Sequence, residues 1–151
     1  MMRGCIYTYS EGIVKRSTYH VFDLYVNHLG DVVLDGWTEN EPWKIYRKHG
    51  REECRTSVLD VVVTAFSDKE GYAVAAVNKD PDEAAEIRID LEAAGTVRIY
   101  TVNGPDKDSF NDIGREEVQI RVRNAGEYRP GMELQLEPHS VNVIEICADP
   151  A

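Results

Sequence analysis

Beyond Gly30 the hydropathy of this chain alternates residue by residue, in short segments broken by turn formers, and that alternation limits the fold more than any other feature. In Ala85–Leu91, Ile87, Ile89 and Leu91 are interleaved with Glu86, Arg88 and Asp90. Further on, Val118, Ile120 and Val122 are interleaved with Gln119, Arg121 and Arg123, and Leu134 and Leu136 with Glu133, Gln135 and Glu137. Successive side chains of an extended chain point to opposite sides, so each segment reads as a strand with one buried and one wetted face. Thr96–Val102, with Val97 and Ile99, repeats the pattern.

Ser57–Phe66 and Tyr72–Asn78 are rich in valine and alanine and are joined by Ser67-Asp68-Lys69-Glu70-Gly71, which predicts a hairpin near the centre of a sheet. Ser140–Ile146 is apolar on both faces, whereas the polar stretch Thr38–Arg55 reads as a loop. Roughly seven or eight short strands with no helices between them exclude a doubly wound parallel sheet. The expected fold is all-β: an antiparallel β-sandwich, jelly-roll-like, with one N-terminal α-helix.

Ser17 or Thr18 is placed to cap that helix, which runs through Tyr19–Leu29, and Gly30 stands where a helix stops. Its apolar residues exceed one stripe. Tyr19, Phe22, Val26 and Leu29 form one row, while Val21, Leu24, Tyr25 and His28 cover much of the remaining circumference. Such a helix needs cover on more than one side, which makes Tyr19, Phe22, Tyr25, Val26 and Leu29 the candidate residues of a partner interface.

With 151 residues the chain has the length of one ordinary domain. Its formal charge of -10 repels phosphates and anionic headgroups, so neither nucleic acid nor a membrane is an expected partner. Cys5, Cys54 and Cys147 are widely spaced, match no zinc pattern and read as reduced thiols. No long apolar run follows Met1-Met2-Arg3-Gly4-Cys5, and a cytoplasmic location is expected.

A glycosidase needs two carboxyl groups at a fixed separation. The acidic residues here occupy outward strand positions, such as Glu86, Asp90, Glu133 and Glu137, or turns, such as Asp80, Asp82 and Asp106, which marks a solvated surface. His20, His28, His49 and His139 lack metal-ligand spacing, and no serine elbow or phosphate loop occurs, so no catalytic residue, metal or cofactor is expected. Trp37, Trp43 and Tyr46, with Glu39, Asn40 and Glu41 among them, form a candidate substrate-binding segment, because aromatic faces stack on sugar rings. The competing reading is that these aromatics close the end of the sandwich or meet another domain.

The run from Tyr7 to Phe22 (YTYSEGIVKRSTYHVF), continued by Leu24-Tyr25-Val26-Asn27-His28-Leu29-Gly30, resembles the end of the catalytic barrel in α-L-arabinofuranosidases of glycoside hydrolase family 51. Leu59-Asp60-Val61, Val77-Asn78-Lys79-Asp80-Pro81-Asp82-Glu83 and Leu136-Glu137-Pro138-His139-Ser140-Val141 are similar, in the same order, to that family's C-terminal sandwich. The resemblance implies that residues 1–30 are the remnant of a barrel end with one helix and that residues 31–151 are the C-terminal β-sandwich domain. It also implies that the helix is the last of a (β/α)₈ barrel, held between barrel and sandwich.

The family's two catalytic glutamates lie upstream of the matched region, so none is carried over and the chain alone is expected to be inactive. The family's sandwich also takes a strand from the enzyme's own N-terminus, which has no counterpart in this sequence, so an unpaired sheet edge is expected. The function implied is that of a non-catalytic C-terminal domain supporting a catalytic barrel of the same or a separate chain, in an enzyme that breaks down arabinose-containing saccharides. The alternatives are a free-standing carbohydrate-binding module and an interaction subunit that completes a separate barrel protein. A homodimer formed through the helix or the open edge is a further expectation.

Overall fold

The structure, a computed structural model, describes residues 4–40, 44–48 and 52–148. Its centre is a six-stranded antiparallel sheet built on two strands that are apolar on both faces, β7 (Gly71–Asn78) and β12 (Ser140–Cys147). Outward from β12 lie β9 (Thr96–Asn103) and β10 (Gln119–Glu127); outward from β7 lie β6 (Leu59–Ala65) and the two-residue β3 (Val32–Val33). Strands apolar on both faces are stable only where both faces are covered, and here each face has its own cover.

On one face a small sheet of β8 (Ala85–Ile89) and β11 (Met132–Leu136) lays Ile87, Ile89, Leu134 and Leu136 against Val74, Ala76, Val97, Ile99, Ile144 and Ile146. This is the sandwich core, and the clean alternation in β8 and β11 follows from their outer faces being wet. On the other face α1 (Ser17–His28) packs Leu24 against Ala73, Ala75, Val102, Val118 and Val143, with Val21, Tyr25 and Leu29 alongside. The alanines of β7 leave room for the helix. Leu24 is fully buried there, worth about 1.5–3 kcal/mol of transfer free energy.

The helix begins one residue earlier than its capping serine suggests. Arg16 occupies the N-cap position in an extended conformation, with no side-chain cap bond. At the other end the helix stops at His28, with the Leu29 amide donating to the Tyr25 carbonyl. Gly30 is needed for a different reason than a left-handed helix stop: a Cβ on it would fall 2.2 Å from the Ala65 carbonyl oxygen at the end of β6. Its amide donates to Thr64 Oγ1 at 2.9 Å, so the exit of α1 is fastened to the sheet.

Two hairpins lie outside the alternation read from the sequence. Ile6–Lys15 spans β1 (Ile6–Tyr9) and β2 (Gly12–Lys15), and the stretch read as a loop holds β4 (Lys44–Lys48) paired with β5 (Glu52–Thr56). The latter is rich in charged residues and has no apolar alternation, so hydropathy does not reveal it. Among the described residues β8 and β11 pair only with each other.

A polar network fixes the turn between β11 and β12. Asn78 Nδ2 donates to the Glu83 and Glu137 carbonyls, each at 2.9 Å, the His139 amide donates to the Asp80 carbonyl at 2.7 Å, and Ser140 Oγ donates to the Glu137 carbonyl at 2.6 Å. Held this way, His139 is the one non-glycine residue among those described with a positive φ, 44°. The left-handed region costs a side chain energy and persists only where surrounding bonds over-determine it.

Candidate functional site

Three surfaces carry residues that the fold does not consume. The first is the outward side of α1. Phe22 is 63% exposed and Val26, one turn on, is 79% exposed, so they share a face that nothing described covers. Tyr19 is partly buried, its ring meeting His20 edge-on and carrying the Lys15 ammonium 4.8 Å from its centroid. Tyr25 and Leu29, also interface candidates on sequence, pack toward the sheet. Ile13 on β2, the strand that leads into α1, is 68% exposed.

The second is the aromatic segment. Trp37 stands 84% exposed, Tyr46 lies in β4 opposite Cys54, and Trp43 falls outside the described residues. Asn40 donates through Nδ2 to the Leu59 carbonyl, which ties the start of the segment to β6.

The third was not visible in the sequence. A cleft of about 410 Å³ opens at the end of the sheet between the β9–β10 connection and the β11–β12 turn, lined by Asn103, Pro105, Glu117, Gln119, Arg121, Glu137 and His139 among others. A second depression of about 260 Å³, reaching Ser17 and Thr18 at the start of α1, shares Asn103, Gly104 and His139 with it.

Asn103 organises this corner. Its Nδ2 donates to Glu137 Oε2 at 2.8 Å and to the Pro138 carbonyl at 3.2 Å, so its Oδ1 is the acceptor that receives the Gly104 amide at 2.9 Å. The same Oδ1 lies 2.7 Å from His139 Nδ1. Nδ1 must therefore carry the proton, which leaves Nε2 as the open position of the imidazole.

Charges at the cleft are matched internally. Glu137 accepts a hydrogen bond from Arg121, and Glu117 is paired with Arg115 at 2.7 Å. Burial pushes the Glu137 carboxyl up, but the Asn103 and Arg121 bonds and the charges of Arg121 and His139 outweigh it and hold it below its ordinary range. The Arg115 hydrogen bond lowers Glu117 likewise. A general acid for glycoside cleavage needs a raised pKa; both carboxylates are held in the opposite sense. Among the described residues no cluster of His, Cys, Asp and Glu is arranged to hold a metal ion.

Residues 2–140 match the family described as the α-L-arabinofuranosidase C-terminal domain. This chain belongs to that family. The probable α-L-arabinofuranosidase C of Aspergillus clavatus is 31% identical over 121 residues, covering 75% of this chain and 22% of that protein. The α-L-arabinofuranosidase of Thermotoga maritima, solved as an arabinose complex, superimposes with a TM-score of 0.81 at 25% identity, over 95% of this chain and 31% of that one. The family 51 α-L-arabinofuranosidase of Thermotoga petrophila gives a TM-score of 0.78 at 25% identity with the same coverage. The chain thus spans 22% to 31% of the length of these relatives. What it shares with them is the α-L-arabinofuranosidase C-terminal domain, a β-sandwich with its helix.

Proposed function

We propose that this chain is the non-catalytic, sandwich-bearing part of an arabinofuranosidase-type glycoside hydrolase, and that a catalytic (β/α)₈ barrel, of the same or a separate chain, packs on the outward side of α1. The exposure of Phe22 and Val26, on a helix whose opposite side is already buried against the sheet, carries this reading. An apolar face of this kind gains about 25 cal/mol for each Å² of apolar surface removed from water. Residues 1–30 then belong with the barrel's end and residues 31–151 form the supporting domain. The substrate of the assembled enzyme is an arabinose-containing saccharide.

The test is to mix the chain with a separately produced arabinofuranosidase barrel and follow complex formation and hydrolysis of an aryl α-L-arabinofuranoside. The chain alone is expected to give no turnover, and the complex is expected to be lost in the Phe22→Glu/Val26→Glu double variant while the variant stays folded. Turnover by the chain alone, abolished by replacing one of its own carboxylates, overturns the reading. So does a complex that tolerates both glutamates.

A further inference from the structure

We propose that the cleft between the β9–β10 connection and the β11–β12 turn is a binding site for a neutral, hydroxyl-rich ligand, a pentose or a short chain of pentoses. The choice of a pentose rests on the arabinofuranosidase reading above. The neutral, hydroxyl-rich character rests on the cleft itself.

Each carboxylate that lines it is already matched by a guanidinium, Glu137 by Arg121 and Glu117 by Arg115. A free anion would meet both carboxylates, and a free cation would meet the Arg121 guanidinium and two carboxylates whose charge is already neutralised, so neither gains a net Coulombic attraction there. What remains on offer are hydrogen-bonding positions of both kinds. His139 Nε2 is an acceptor when the ring is neutral, because Nδ1 is committed to Asn103. Among the described residues Glu137 is bonded through Oε2, which leaves Oε1 to accept. Arg121 is bonded through one terminal nitrogen and retains further N–H donors, and the exposed Gln119 amide supplies both a donor and an acceptor. A hydroxyl donates and accepts at one atom, and it is the group that such a mixed lining suits.

Size and rigidity agree with this. The cleft, about 410 Å³, falls within the range of small-molecule sites, roughly 300–1,000 Å³, and the adjoining depression of about 260 Å³ continues it past His139. Pro105 and Pro138 give it apolar wall surface against which the carbon face of a ring can rest. His139 is held with φ at 44° by the backbone and side-chain bonds of its turn, so its imidazole is positioned before any ligand arrives. Strain retained under such over-determination is characteristic of binding positions.

The experiment is an NMR titration of the chain with L-arabinose and with arabinotriose, observing the His139 ring, the Gln119 side-chain amide and the Gly104 backbone amide. Saturable shifts of these groups at millimolar sugar are expected. Gln119→Ala, at an exposed position, is expected to weaken binding about fivefold, the equivalent of one neutral hydrogen bond. His139→Asn, which tolerates a positive φ, is expected to weaken it similarly. Trp37→Ala is expected to change nothing. Absence of saturable shifts in the folded chain overturns the proposal, as do shifts that survive both cleft variants unchanged. Inorganic phosphate or calcium chloride producing the same shifts at lower concentration overturns the neutral-ligand assignment. The titration requires no barrel, so its failure leaves the docking role of α1 standing, and failure of docking leaves the cleft untouched.

Discussion

His28 Nδ1 lies 2.9 Å from Glu145 Oε1, and the His28 ring stacks on Tyr100 with centroids 3.7 Å apart, so the last turn of α1 is bonded to β12 and layered on β9. Glu145 is a buried carboxylate, and Tyr100 Oη reaches its other oxygen at 3.5 Å. Burial, and next the Glu145 charge, raise the Tyr100 phenol above its ordinary range. Glu145→Ala removes the acceptor from under the helix and is expected to lower the unfolding free energy by about 2 kcal/mol. Glu145→Gln, which keeps an acceptor, is expected to lose about half of that. Urea denaturation measures both, and equal losses would mean that the charge, not the bond, holds the helix down.

His20 supplies a pH dependence. Its imidazole is buried, with Nε2 3.4 Å from the donor Asn111 Nδ2. Burial, the largest cause, and the Lys15 charge lower its pKa below the ordinary 6.5, against the opposing pull of Glu116 and Asp23. Between the lowered value and about 6.5 the unfolded chain binds more protons than the folded one, so stability increases with pH across that interval. Stability is therefore expected to fall as pH drops below about 6.5 and to level off once His20 is protonated in the folded state as well. In a His20→Gln variant this part of the pH profile should be flat; thermal melts from pH 5 to 8 decide it.

Tyr128 closes the edge of the sandwich core. Its hydroxyl receives the Leu91 amide at 2.8 Å and lies 3.1 Å from the Ile89 and Leu91 carbonyls. Tyr128→Phe fills the same space but leaves the Leu91 amide without its acceptor, and a cost of about 1–2 kcal/mol is expected in chemical denaturation. Faster amide exchange at Leu91 should accompany it.

The two sides of α1 should respond in opposite ways to the same substitution. Phe22→Glu and Val26→Glu change exposed positions and are expected to shift stability by no more than about 0.5 kcal/mol, while suppressing any self-association seen by light scattering. Leu29→Glu places a carboxylate beside the cluster of Leu24, Ala73 and Val143 and is expected to cost about 3 kcal/mol or more. If Phe22→Glu proves as damaging as Leu29→Glu, the outward side of the helix is core and not interface.

Legibility in the sequence followed the physics of each element. β8 and β11 are half-wet, and their alternation reads directly; β12 is apolar on both faces, and it is indeed covered on both. The β4–β5 hairpin, written in lysine, arginine and glutamate, leaves no hydropathic trace. For α1 the sequence shows two apolar rows without saying which one meets the sheet; the small residues Ala73 and Ala75 that receive Leu24 lie far along the chain. The cleft is harder still, because Asn103, Gln119 and His139 come from the end of β9, the start of β10 and the β11–β12 turn, and no local spacing joins them. Only the buried asparagine at the end of an apolar strand, Asn103, is a signal that reading the sequence could have followed.

The central strand β12 has apolar residues on both faces, so hydropathy alone does not tell it which way to lie. Two of its residues do. Asn142, in the row that faces the sandwich core, is wholly buried and bonds the Ala76 carbonyl at 3.2 Å and Thr101 Oγ1 at 2.7 Å. Glu145, in the row that faces α1, finds its partners His28 and Tyr100 on that side. Sliding the strand by one residue would exchange the faces, placing a carboxylate within the sandwich core and an amide beneath the helix at the same time. Each mistake leaves a polar group buried without its partner, and both arise from one slip. The two polar residues thus act as proofreading marks on a strand otherwise blind to its own orientation, discriminating against the misaligned sheet more than they strengthen the aligned one.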